Sequence, residues 1–196
     1  MANKIITISR EFGSGGRFIG EEVAKKLGMK YYDKDIISQI AEKLGFSKEY
    51  ISQNAELSPK KGLFAYALTG RDTTGKSVED MVYEAQRKVI LEIAENDSCV
   101  IIGRNADYIL KDRTDVINIF IHADMPEKVK RICRLYNVTE TEAVAMTADI
   151  DKRRMTNYRY YTDQKWGMAR NYTLTLNSSQ LGYDMCEKLS LIHISE

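Results

Sequence analysis

A chain of 196 residues with 43% hydrophobic content can bury one sizeable core and reads as a single domain over residues 1–196. Its 29 Lys and Arg against 28 Asp and Glu leave a net charge of +1, which excludes the broad basic field of a nonspecific nucleic-acid binder. No apolar run approaches the roughly 18 residues of a membrane span, and Cys99, Cys133 and Cys186 lack the paired spacings of zinc or redox motifs, so a cytoplasmic protein with buried cysteines is expected, acting without nucleic acid or membrane.

Residues 5–8, "IITI", predict a short buried strand, followed by Gly13, Gly15 and Gly16 and then a helix marked by Phe18, Ile19, Val23, Ala24 and Leu27. Gly28 closes that helix. "KYYD" predicts a second strand ending at Asp33, and "KDIISQIAEKLG" a helix stopped by Gly45. From Phe46 to Lys76 the pattern is irregular and punctuated by Pro59, Gly62, Gly70 and Gly75, as in an insertion. Ser77 caps a long helix with Val82, Ala85, Val89, Ile90 and Ile93 inward. "CVIIG" and "VINIFIHA" are buried strands, and Asp124 caps a helix with Val129, Ile132, Cys133 and Leu135 inward. The basic residues of "KVKRICR" on that helix read as an exposed face. "TETE" is a capping box opening the charged segment that runs to Gly167, "YTLTLN" is the last strand and residues 179–192 the last helix.

Strands alternating with helices call for a parallel sheet covered on both faces, with ligands bound beyond the carboxyl ends of the strands. Those ends carry residues 9–17, Asp33, residues 103–105 and residues 177–179. The first of them approaches a phosphate-binding loop, G-x-x-x-x-G-K-[ST], without matching it. Arg10 stands at the first glycine, Gly16 at the lysine and Arg17 at the hydroxyl. Backbone amides and the positive end of the following helix still suit an anion, and Arg17, with Arg10, could supply the missing cation. A glycine turn that merely packs helix against strand is the competing reading.

Four separated segments, residues 6–37, "CVIIGRNADYIL", "VINIFIHADMPEKVKRI" and residues 149–167 with 171–182, together resemble the cytidylate kinase-like family of P-loop proteins. The resemblance implies a three-layer αβα P-loop NTPase-type fold with a mostly parallel sheet of about five strands. It implies an acceptor-side insertion at residues 46–76 and a helical lid at residues 139–166. By the same resemblance, Arg10, Gly13, Ser14, Gly15, Gly16 and Arg17 hold the donor phosphates, with Asn177 and Ser178 beside the donor base. Asp33 lies near the phosphates and metal, Arg104 grips the acceptor phosphate, and Arg153, Arg154 and Arg159 close over the transferring group. Asn105 stands where the family has a base-reading aspartate, Gln39 where it has an arginine, and Arg154 where it has a ribose-contacting aspartate. The implied activity is phosphoryl transfer from ATP, with Mg²⁺, to a small acceptor of the nucleoside monophosphate kind. A kinase for a different small molecule and a binding module without turnover are the alternatives. The aromatics "YRYY" and Trp166 are read as lid packing.

Overall fold

The computed structural model describes residues 4–45 and 77–192. The insertion expected at residues 46–76 lies outside the described residues. β1 (Ile5–Arg10), β2 (Lys30–Tyr32), β3 (Cys99–Ile102), β4 (Val116–His122) and β5 (Leu174–Asn177) form one sheet in the order β2-β3-β1-β4-β5. Every neighbouring pair is parallel, so each connection crosses over through a helix. The helices are α1 (Gly16–Leu27), α2 (Lys34–Leu44), α3 (Val78–Asn96), α4 (Ala106–Ile109), α5 (Met125–Tyr136), α6 (Glu140–Thr162) and α7 (Ser178–Ile192).

The alternation of side chains along β1 and β3 divides the core into two layers. Ile5, Cys99 and Ile101 pack with Ile36 and Ile40 of α2 and Val89 and Ile90 of α3. Ile6, Ile8, Val100 and Ile102 pack on the opposite face with Ile19 and Val23 of α1 and Cys186 of α7. A strand enclosed on both sides has no polar face, which is why these stretches read as continuous apolar runs. The outcome is the three-layer α/β architecture with a five-stranded parallel sheet.

Several details depart from the sequence reading. β1 continues two residues beyond Ile8, because Ser9 and Arg10 keep pairing with Phe120 and Ile121 of β4. Phe18 and Leu135 face solvent on their helices, at 47% and 58% exposure, and Cys133 is half-buried. Asp124 occupies the N-cap position of α5 but makes no side-chain capping bond. Its carboxylate instead accepts from Asn177 Nδ2 at 3.0 Å and Gln180 Nε2 at 2.7 Å, tying the start of α5 to α7. Lys128, read as part of an exposed face, is only 5% exposed. Gly182, at φ 72°, interrupts α7 after its first turn.

Candidate active site

Two glycines of the first loop hold left-handed backbone, Gly13 at φ 80° and Gly15 at φ 81°. Both positions are also crowded: a Cβ on Gly15 would lie 2.6 Å from the Tyr183 ring, and one on Gly13 2.9 Å from Ile132 Cδ1. Only a residue without a side chain lets the chain turn there against α5 and α7. Ser14 Oγ donates to Glu11 O at 2.9 Å and fixes the turn. Gly15 caps α1 without a side-chain hydrogen bond, which leaves the helix N-terminus to present backbone N–H groups.

Beside this loop, Arg10, Arg104 and Arg154 line one narrow cleft together with Ser9, Gly103, Asn105 and Trp166. Arg10 and Arg104 are each 3% exposed. Arg104 is placed by a run of three left-handed residues, Gly103, Arg104 and Asn105, at φ 64°, 60° and 55°. For a non-glycine residue this conformation costs roughly 1–2 kcal/mol, and the surroundings hold it in place. Gln86 Nε2 donates to Arg104 O at 2.7 Å, and Asn105 Nδ2 donates to Asn157 Oδ1 at 3.1 Å. From the other wall, Arg154 Nη1 donates to Arg10 O at 3.1 Å. The cleft encloses about 10 Å³, room for about one water-sized group.

The remaining sequence candidates are distributed around this centre. Arg17 is half exposed, and its guanidinium pairs with Asp33, Nε to Oδ2 at 2.9 Å and Nη2 to Oδ1 at 3.3 Å. Both oxygens of the candidate metal ligand are therefore occupied by a cation. Among the described residues no three His, Cys, Asp or Glu side chains cluster to hold a metal ion. Gln39 lies half-buried on α2, Arg153 is paired with Asp149 at 3.8 Å, and Arg159 is exposed. Asn177 is engaged with Asp124, and Ser178 Oγ lies 2.7 Å from Ser14 O, joining α7 to the glycine loop.

Three groups were not singled out from the sequence. The first is a buried charge cluster in which Lys128 Nζ lies 2.9 Å from Glu11 Oε2 and 3.3 Å from Asp151 Oδ2. The second is a cavity of about 360 Å³ lined by Gly13, Lys130, Arg131, Arg134, Ser179 and Tyr183 among others. Arg131 stacks over the Tyr183 ring at 5.0 Å and donates to its hydroxyl, so of the basic residues of "KVKRICR" Lys128 and Arg131 turn toward the glycine loop and α7, while Lys130 and Arg134 are exposed as read from the sequence. The third is Asp107, which accepts from Tyr158 Oη at 2.7 Å and Ser9 Oγ at 3.4 Å. Burial first of all pushes its carboxyl up to about 6, while these donors pull it down. The helical period could have flagged Lys128 and Arg131, since position 128 shares a face with Ile132.

The comparisons with known proteins bear on the family and the fold. The chain is 26% identical over 178 residues to a cytidylate kinase of Archaeoglobus fulgidus, covering 88% of this chain and 84% of that protein. An uncharacterized protein from Eubacterium ventriosum superposes with a TM-score of 0.76 at 24% identity, covering 99% of both chains. Shikimate kinase from Bacteroides thetaiotaomicron shares the fold at a TM-score of 0.56 and 14% identity, covering 98% of this chain and 99% of that one. Residues 5–180 match the cytidylate kinase-like family from the first strand to the start of the last helix, and the chain belongs to that family.

Proposed function

We propose that this protein transfers a phosphoryl group from ATP to a small acceptor, first of all a nucleoside monophosphate. The observation that carries the reading is the convergence of Arg10, Arg104 and Arg154 on one cleft beside the glycine loop, at the carboxyl ends of β1 and β3. Phosphoryl transfer is catalysed chiefly by positioning and by neutralising the charge on the moving group, and three guanidinium groups around one cleft are suited to both. The cavity of about 360 Å³ adjoins Gly13 and offers Arg131 and Tyr183 as a stacking surface, a setting suited to the base of the donor nucleotide. Amides of the loop and the first turn of α1 then face its phosphates.

Arg104, at the far side of the cleft, holds the acceptor phosphate, and Arg154 on α6 stabilises the group in transit. A phosphate does not fit into about 10 Å³, so α6 swings outward for entry and closes on the filled site. Mg²⁺ belongs to the donor through its phosphate oxygens. Asp33 is committed to Arg17, so no step of the transfer is assigned to a protein-held metal.

The acceptor-reading residues favour a second candidate, a small phosphorylatable molecule other than cytidylate. Asn105 lacks the family's carboxylate and spends its amide on Asn157, and Gln39 carries no charge. Incubation of the protein with Mg-ATP and each member of a panel of nucleoside monophosphates and other small phosphorylatable molecules, followed by quantification of ADP and the phosphorylated product, tests both. Turnover with one monophosphate supports the first reading. Turnover only with other acceptors selects the second, and nucleotide binding without product on any acceptor refutes catalysis.

A further inference from the structure

The lysine of a phosphate-binding loop is absent at Gly16, yet an ammonium reaches this loop from another element. Lys128, in the first turn of α5, packs against the glycine turn: its β carbon would lie 3.2 Å from a Cβ placed on Gly13. Its Nζ sits between Glu11 of the loop, at 2.9 Å, and Asp151 of α6, at 3.3 Å. Glu11 Oε2 is also held by the backbone N–H of Ala123 at 3.3 Å. The other oxygen of Asp151 accepts from the backbone N–H of Phe12 at 2.7 Å, and Arg154 Nη1 lies 3.7 Å from it. One carboxylate of the lid helix is thus surrounded by a loop amide, an ammonium and a guanidinium. That is the donor set that phosphate oxygens take in phosphoryl-transfer sites. Burial holds the Asp151 carboxyl above its usual range despite the cations around it, so its hold on Lys128 is weakened by the loss of solvent.

We propose that Lys128 is the phosphate-binding ammonium of this loop, meeting the phosphates of the nucleotide when α6 carries Asp151 away. The inference rests on the phosphoryl-transfer reading and adds the residue that supplies the missing charge. In the closed cluster Lys128 and Arg154 balance Glu11 and Asp151. Withdrawal of α6 takes Asp151 and Arg154 away together, so the loop keeps its neutral balance while Lys128, still oriented by Glu11, loses one of its two carboxylates and turns that side of the ammonium to the phosphates. The lid helix and the donor phosphates thereby compete for the same cation, which couples α6 to occupancy of the loop.

Isothermal titration with Mg-ATP, inorganic tripolyphosphate and adenosine separates this role from a structural one. Lys128→Met alone strands two carboxylates, so the decisive protein is Lys128→Met combined with Glu11→Gln and Asp151→Asn. A structural ion pair predicts that this triple variant binds all three probes as the parent does. A phosphate contact predicts at least about a tenfold loss for Mg-ATP and tripolyphosphate, an unchanged affinity for adenosine, and partial rescue in Lys128→Arg. Parent-like affinity of the folded triple variant for tripolyphosphate overturns the assignment and leaves phosphoryl transfer standing. A parent that binds neither Mg-ATP nor tripolyphosphate overturns both. On the unaltered protein, saturating tripolyphosphate is expected to shift the Lys128 Nζ–H resonance, and an unmoved resonance also overturns the proposal.

Discussion

Burial holds the carboxyl of Asp107 at about 6, against about 4 for an exposed aspartate, even with Tyr158 and Ser9 donating to it. The folded protein therefore keeps this proton over a range in which the unfolded chain has lost it, so the contribution to stability falls as pH rises from about 4 to about 6. Ionisation at neutral pH costs on the order of 3 kcal/mol. Asp107→Asn, whose amide oxygen can still accept from Tyr158, should gain stability relative to the parent over that interval and keep the advantage at pH 7. Urea titrations of both proteins between pH 4 and 7 measure it, and a constant difference would contradict the origin in Asp107. Gly15 allows a second test at this scale. Gly15→Ala meets both a left-handed φ of 81° and the Tyr183 ring at 2.6 Å, and should weaken Mg-ATP binding at least about tenfold by pushing Tyr183 off Arg131. Gly28→Ala, at φ 62° with nothing within 4 Å, should cost about 1 kcal/mol of stability and leave binding unchanged. Neither Asp107 nor the Tyr183 contact could be read from the chain, because their partners lie far away in sequence.

The element that joins most of the site is α6, which carries Asp151, Arg154, Asn157 and Tyr158 toward β1 and α4. Its start was legible: Thr139 Oγ1 accepts from Glu142 N–H at 3.3 Å, and Glu142 returns a bond to Thr139 N–H at 2.8 Å, as the spacing in "TETE" predicts. Thr139→Ala should cost about 1 kcal/mol and lower the midpoint of thermal unfolding by about 2–4 °C. Because the cap lies about three turns from Asp151, Mg-ATP affinity should change little, as calorimetry of the same variant can check. The α4 turn was legible only as the segment "GRN". Its three left-handed residues, which set the direction of Arg104, are imposed by Gln86 and Asn157 from α3 and α6.

At the scale of the whole molecule, a net charge of +1 gives little long-range steering, so affinity for a phosphate ligand must come from groups gathered at the sheet's carboxyl end. If Mg-ATP binds only the folded chain, a concentration of 100 times Kd adds about 2.7 kcal/mol and raises the unfolding midpoint by roughly 5–11 °C. Scanning calorimetry with Mg-ATP and with adenosine should show the larger shift for the nucleotide, and equal shifts would argue against recognition of its phosphates. The sequence by itself determined the parallel α/β sheet, the glycine turn and the helix caps, since these follow from local periodicity, backbone freedom and short-range spacing, and it pointed to the family through the resemblance of four separated segments. It could not determine that Arg10, Arg104 and Arg154 share one cleft, that Arg17 spends its charge on Asp33, or that Lys128 points inward to Glu11 and Asp151. Those outcomes belong to the tertiary structure, because whether a charge is solvated, paired or poised for a ligand depends on which distant groups the sheet order and helix packing bring within a few ångströms of it.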